Sequence, residues 1–166
     1  SSSSAASDVY KRQDNFIFSM KASRYLTHMK KLKDPAEPLA AFLQQAAILG
    51  PKLGPILFQL PPNWHCNCDR LRSFLDILPS GYRYAFEFRD PSWFRDSVYR
   101  ALEERNTALC MYHLQGFQSP KVITADFIYI RLHGPGKAYR GNYETQALQG
   151  WAGAFSTWRR KGRELF

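Results

Sequence analysis

The sequence predicts a mixed α/β protein built as part of a (β/α)₈ barrel, with about five parallel strands in its 166 residues. Three observations carry that expectation. Short apolar runs alternate with mainly helical stretches, the order that a parallel sheet with helical crossovers requires. Each run ends on a polar side chain, and buried polar groups are costly unless partnered or used. No glycine-rich fingerprint follows any run, which disfavours an open dinucleotide-binding sheet. A complete barrel needs eight strands and about 250 residues, so the chain is expected to be a fragment of one.

Taken in order, Ser1–Gln13 stands apart. Its serine-rich opening and the adapter-like Asp8-Val-Tyr-Lys-Arg-Gln13 suggest a non-native or disordered tail, with the domain running over residues 14–166. Phe16–Ser23 alternates as a strand and carries Lys21. A loop is expected over Arg24–Lys33. Asp34-Pro35 then reads as the N-cap and first position of a helix whose apolar face is Leu39, Phe42, Leu43 and Ala46, ended by Gly50-Pro51. Gly54–Pro61 is a buried strand with Gln59 near its exit. Leu71, Phe74, Leu75 and Leu78 follow at helical spacing.

The stretch Arg83–Trp93 is the centre of the pattern. Tyr84, Phe86 and Phe88 fall on one face of a strand, with Ala85, Glu87 and Arg89 on the other. Asp90-Pro91-Ser92 stops that strand, because proline lacks the ladder donor and Asp and Ser favour turns. Val98, Leu102 and Arg105 mark a short helix, and Thr107–His113 a fourth strand. Leu114–Asp126 is too short and broken for a full helix and reads as an irregular crossover. Phe127–His133 alternates again, with Phe127, Tyr129, Arg131 and His133 on one side. Leu148, Trp151, Ala152, Phe155 and Trp158 make a helical stripe, and Glu164–Phe166 opens a further strand.

Composition bounds the function. The chain is 45% hydrophobic and 15% aromatic, which argues for a folded core. A net charge of +9 suits anionic partners but also suits an ordinary solvated surface. Three cysteines fit a reducing compartment better than a disulfide framework, and no run is long enough for a membrane span, so the expected location is the cytoplasm.

Four ordered motifs carry a resemblance. Met20-Lys-Ala-Ser-Arg24 with Thr27-His28, Leu57-Phe-Gln-Leu-Pro-Pro62, Phe86-Glu-Phe-Arg-Asp-Pro-Ser-Trp93, and Tyr129-Ile-Arg-Leu-His-Gly134 with Tyr139 and Tyr143 resemble the YecE-like family, domain of unknown function 72. The resemblance runs from about Phe16 to the C-terminus. It implies a TIM-like barrel without an agreed activity. It also implies that the family's opening strands and last strand have no counterpart here, and that His113 stands where relatives often carry an acid.

On these grounds Glu87 is a candidate general acid or base, Arg89 and Lys21 hold an anionic substrate, and His133 moves a proton. Thr27, His28, Gln59, Trp93, Arg131, Tyr139 and Tyr143 are candidate substrate contacts. A structural Glu–Arg–Lys network is the alternative, and an inactive fragment a further one. An enzyme predicts that Glu87→Gln abolishes turnover with the fold intact. Glu87, His113 and His133 could together meet a divalent metal, but without a spaced motif no metal is assigned, and no cofactor can be named. His65-Cys66-Asn-Cys68 lacks zinc-knuckle spacing. A second function class is a nucleic-acid-binding, nuclease-like barrel, with Lys21, Arg24, Lys30, Lys31, Lys33, Arg89 and Arg131 interleaved with Trp64, Trp93, Tyr139 and Tyr143.

Overall fold

Period-two alternation sorts the side chains of each strand onto two faces, and the sheet curls so that one face lies inside. A computed structural model describes residues 16–134 and 143–166; the adapter-like tail and Tyr139 lie outside the described residues. The strands are β1 (Phe18–Lys21), β2 (Leu53–Gln59), β3 (Tyr84–Glu87), β4 (Ala108–Leu114), β5 (Phe117–Gln118), β6 (Phe127–Leu132) and β7 (Glu164–Leu165). The helices are α1 (Ala36–Ala47), α2 (Cys68–Asp76), α3 (Asp96–Glu103) and α4 (Thr145–Arg160). Strands β1-β2-β3-β4-β6-β7 lie side by side in that order and pair in parallel. The result is part of a TIM-like barrel. The five expected strands are present, and Glu164–Leu165 adds the next.

The outer face holds the larger core. Phe58 stacks on Phe86 with ring centroids 5.1 Å apart, and Phe74 meets Phe58 edge-on at 5.0 Å. Leu71, Leu75, Val98 and Leu102 seal this layer from the helices. The inner face is built from smaller groups. Leu57, Ala85, Ala108, Cys110, Phe127 and Tyr129 form its cluster, with Phe166 packed against it. At the N-terminal end of the hollow, Arg83 pairs with Glu164 at 2.5 Å and lies 4.4 Å from the Phe166 ring centroid.

Three local expectations change. Arg24–Lys33 contains a π-helical turn at Tyr25–Met29, and Leu26 and Leu32 are buried. Lys31, Leu32 and Asp34 adopt positive φ, which carries Leu32 inward and leaves Pro35, not Asp34, as the N-cap of α1. The apolar stripe on α4 is narrower than its spacing suggests. Trp151 is buried and Phe155 and Trp158 are half-buried against Met111 and Ile128, whereas Leu148 and Ala152 face solvent.

The segment after β4 is not an irregular crossover throughout. It begins with a hairpin in which β4 and β5 pair antiparallel, Leu114 opposite Phe117. The two loop residues, Gln115 and Gly116, have φ of 51° and 80°. Positive φ at both positions is the type I′ pattern, whose twist matches that of the flanking strands. The chain then returns along β4, and two of its hydroxyls accept from β4 backbone N–H groups. Thr124 Oγ1 accepts from the Leu109 N–H and Ser119 Oγ from the Tyr112 N–H, each at 2.8 Å. A residue with a Cβ is strained at positive φ, and asparagine tolerates it better than glutamine. Gln115→Asn is therefore expected to stabilise the fold by about 0.5 kcal/mol, raising the melting temperature by roughly 1–2 °C. A thermal melt checks this, and a lower melting temperature would contradict the assignment.

Candidate functional site

Glu87 ends β3 on the inner face and is fully buried. Parallel pairing sets Gln59 of β2 directly beside it. Gln59 Nε2 donates to Glu87 Oε1 at 2.8 Å, and Arg89 Nε donates to the same oxygen. Arg131 Nη1, from β6, donates to Oε2 at 2.7 Å, and the Cys110 thiol lies 3.6 Å from Oε2. Lys21 Nζ, from β1, donates to Gln59 Oε1 at 2.7 Å. His133 Nε2 sits 3.3 Å from Arg89 Nη2 and 3.9 Å from Glu87 Oε1. A guanidinium can only donate, so where that bond forms Nε2 accepts and the ring proton belongs on Nδ1. Five strands thus deliver Lys21, Gln59, Glu87, Arg89, Cys110, Arg131 and His133 to one cluster at their carboxyl ends.

Above this cluster lies a cavity of about 520 Å³ lined by Arg24, His28, Gln59, Arg89, Tyr112 and Phe117 among others. Gln59 and Arg89 belong both to the buried network and to the cavity wall. The Arg89 guanidinium also rests 4.8 Å from the Tyr112 ring centroid, a cation–π contact that fixes its plane. Thr27 is buried beneath the wall, with its hydroxyl 2.8 Å from His28 Nδ1, and so orients His28 instead of facing a ligand.

Other candidate residues lie elsewhere. Trp93 is buried in the outer core, stacked 4.9 Å from Phe88, with its indole N–H donated to the Trp64 carbonyl. Apolar packing claimed that ring, so it does not line the hollow. Tyr143 Oη accepts from the Gly134 N–H at 3.1 Å and lies 3.0 Å from His113 Nδ1. It therefore ties the chain after β6 to the end of β4. His113 shares the face of Met111, which packs outward against Ile128 and Trp151. The pleat thus turns His113 away from Glu87 and His133. Cys110 and Tyr112 of β4 face inward together with Ala108 and Leu114, the parity opposite to that of Met111. Among the described residues no cluster of three His, Cys, Asp or Glu side chains could hold a metal ion.

The electrostatics favour charged groups in opposition. Burial alone would raise the Glu87 pKa, but the Gln59 hydrogen bond and the charges of Arg131 and Arg89 outweigh it and hold the carboxyl below its ordinary value. Lys21 is lowered, first by burial and then by Arg131. His133 is lowered by burial and by Arg131, so it is neutral at pH 7. Burial pushes the Cys110 thiol well up, which keeps it protonated.

A curved parallel sheet, helices outside it and a polar cluster at the strands' carboxyl ends together define a TIM-barrel-type α/β protein. The profile of the family described as "Protein of unknown function DUF72" matches residues 5–166, and the chain belongs to that family. Among solved structures, a DUF72 family protein from Thermotoga maritima superposes with a TM-score of 0.78 at 23% identity, covering 98% of this chain and 69% of that one. A DUF72 family protein from Enterococcus faecalis gives 0.74 at 19% identity, covering 98% and 74%. At these identities the likeness concerns the fold. No curated protein matches the chain. No helix among the described residues is long and apolar enough to cross a membrane.

Proposed function

We propose that the hollow is the active site of an enzyme acting on a small anionic or phosphate-bearing substrate in the cytoplasm. One observation carries this reading: Arg89 and Arg131 converge on a single carboxylate, Glu87, Lys21 is joined to it through Gln59, and Arg24 stands on the adjoining cavity wall. Positive charge exceeds negative there, and an incoming anion would offset the excess. Glu87 acts by holding Arg89 and Arg131 in place, because both its oxygens are already committed to donors. Arg89 and Lys21 meet the anion.

Calorimetry with inorganic phosphate and small phosphomonoesters tests the reading. Saturable binding is expected, and Lys21→Ala should weaken it by about tenfold, the scale of one charge-assisted hydrogen bond. No binding, or equal binding by the variant, would overturn it. The nucleic-acid reading loses two of its four stacking candidates, since Trp64 and Trp93 are both buried. It would regain ground if an oligonucleotide bound with a steep salt dependence that Lys21→Ala left intact.

A further inference from the structure

The β4–β5 hairpin gives the cavity a second, chemically different wall. Phe117 stands on the two-residue strand β5, directly across from Leu114, and is 43% exposed although it is a large aromatic ring. Its position is held from behind. It stacks on Phe94 with centroids 6.1 Å apart and planes at 23°, and it leans on Tyr112 at 5.7 Å and 42°. The residues facing the cavity from this side are Tyr112, Leu114 and Phe117, while Arg24, His28 and Arg89 supply the basic groups. Arg89 joins the two sets, since its guanidinium lies against Tyr112 while its Nε reaches Glu87.

From this juxtaposition we infer that the site takes anions bearing a flat, conjugated or aromatic body, with the charged group at the basic residues and the body against Phe117 and Tyr112. The inference rests on the anion-site reading and narrows it. A bare phosphate would satisfy the cations but leave Phe117 in water. An aromatic body would cover that ring, and the offset between the Phe117 and Tyr112 planes suits edge or offset stacking rather than a parallel sandwich. The tight Gln115-Gly116 turn matters because it limits how far the ring can swing: a two-residue hairpin loop has little slack. The wall is thus preformed, which lowers the entropy lost on binding.

The test compares phenyl phosphate with inorganic phosphate by calorimetry on the full chain, at one pH and salt concentration. Phenyl phosphate should bind at least about tenfold more tightly, and Phe117→Ala should erase that preference while leaving the phosphate affinity within about twofold. Phe117→Leu should retain part of it. Phenol alone should bind far more weakly, because it offers the wall a ring but the cations no charge. If phosphate and phenyl phosphate bind wild type equally, or if Phe117→Ala folds and keeps the preference, the aromatic wall is overturned while the anion site stands. If neither binds, the anion site fails and takes this inference with it. Circular dichroism of Phe117→Ala confirms that a lost preference is not a lost fold.

Discussion

Glu87→Gln is expected to destabilise the folded chain by about 3 kcal/mol, the cost of breaking a buried ion pair by removing one partner. For a chain of this size that is a fall in melting temperature of roughly 6–12 °C. The carboxylate is fully buried and accepts from Arg89 and Arg131. An amide has no charge to set against them, and one of its two heads donates where a guanidinium also donates. Lys21 and His133 lie within the same positive field. Adding Arg131→Met should recover part of the loss, because the second change removes the cation that the first leaves unpaired. Thermal or denaturant melts of the single and double variants measure both. An unchanged melting temperature for Glu87→Gln would show that Glu87 does not hold the hollow together. The sequence alone suggested that this change would spare the fold and remove turnover; two half-buried guanidinium partners on a fully buried carboxylate join those effects.

Stability should fall in two stages as pH drops. His133 and His28 both have pKa values below the ordinary 6.5, each through burial first, then Arg131 for His133 and Arg24 for His28. In the unfolded chain these rings take up protons near 6.5, whereas the folded protein resists until lower pH. The unfolded state therefore binds more protons, and stability declines from about pH 6.5 downward. Glu87 acts in a lower window. Its folded pKa lies below the ordinary 4.5, so its contribution is complete above 4.5 and is lost as pH falls through the folded value. Melting temperatures measured from about pH 8 to about pH 3 should be level at first, decline gently below 6.5, and fall more steeply below 4.5. His133→Asn should reduce the upper stage to the part that His28 contributes. A curve with no change between pH 7 and 5 would contradict the histidine assignment.

Much of this architecture is legible in the sequence. Period-two alternation at Phe86-Glu-Phe-Arg89 and Phe127–His133 assigns faces without reference to the rest of the chain, and the sheet places Glu87, Arg89, Arg131 and His133 on the inner face it implies. The hairpin was harder to read. Gln115-Gly116 lacks the usual asparagine or aspartate, so a turn that needs positive φ at two residues was not evident. Trp93 looked like a ligand contact because it sits beside the site in the chain, yet its ring fills the outer core. Proximity in sequence says nothing about which side of a strand end a ring will choose.

Local sequence determined the strands, the helical crossovers and the side of the sheet each polar exit would occupy, because a strand's pleat and a helix's turn are properties of neighbouring residues. Tertiary structure alone decided that Gln59 would bridge Lys21 to Glu87, that His113, turned outward by its pleat, would meet Tyr143, and that Phe117 would face the cavity. Those outcomes depend on the register between strands and on how tightly the sheet curls. Both are set by packing between residues far apart in the chain, which no local pattern encodes.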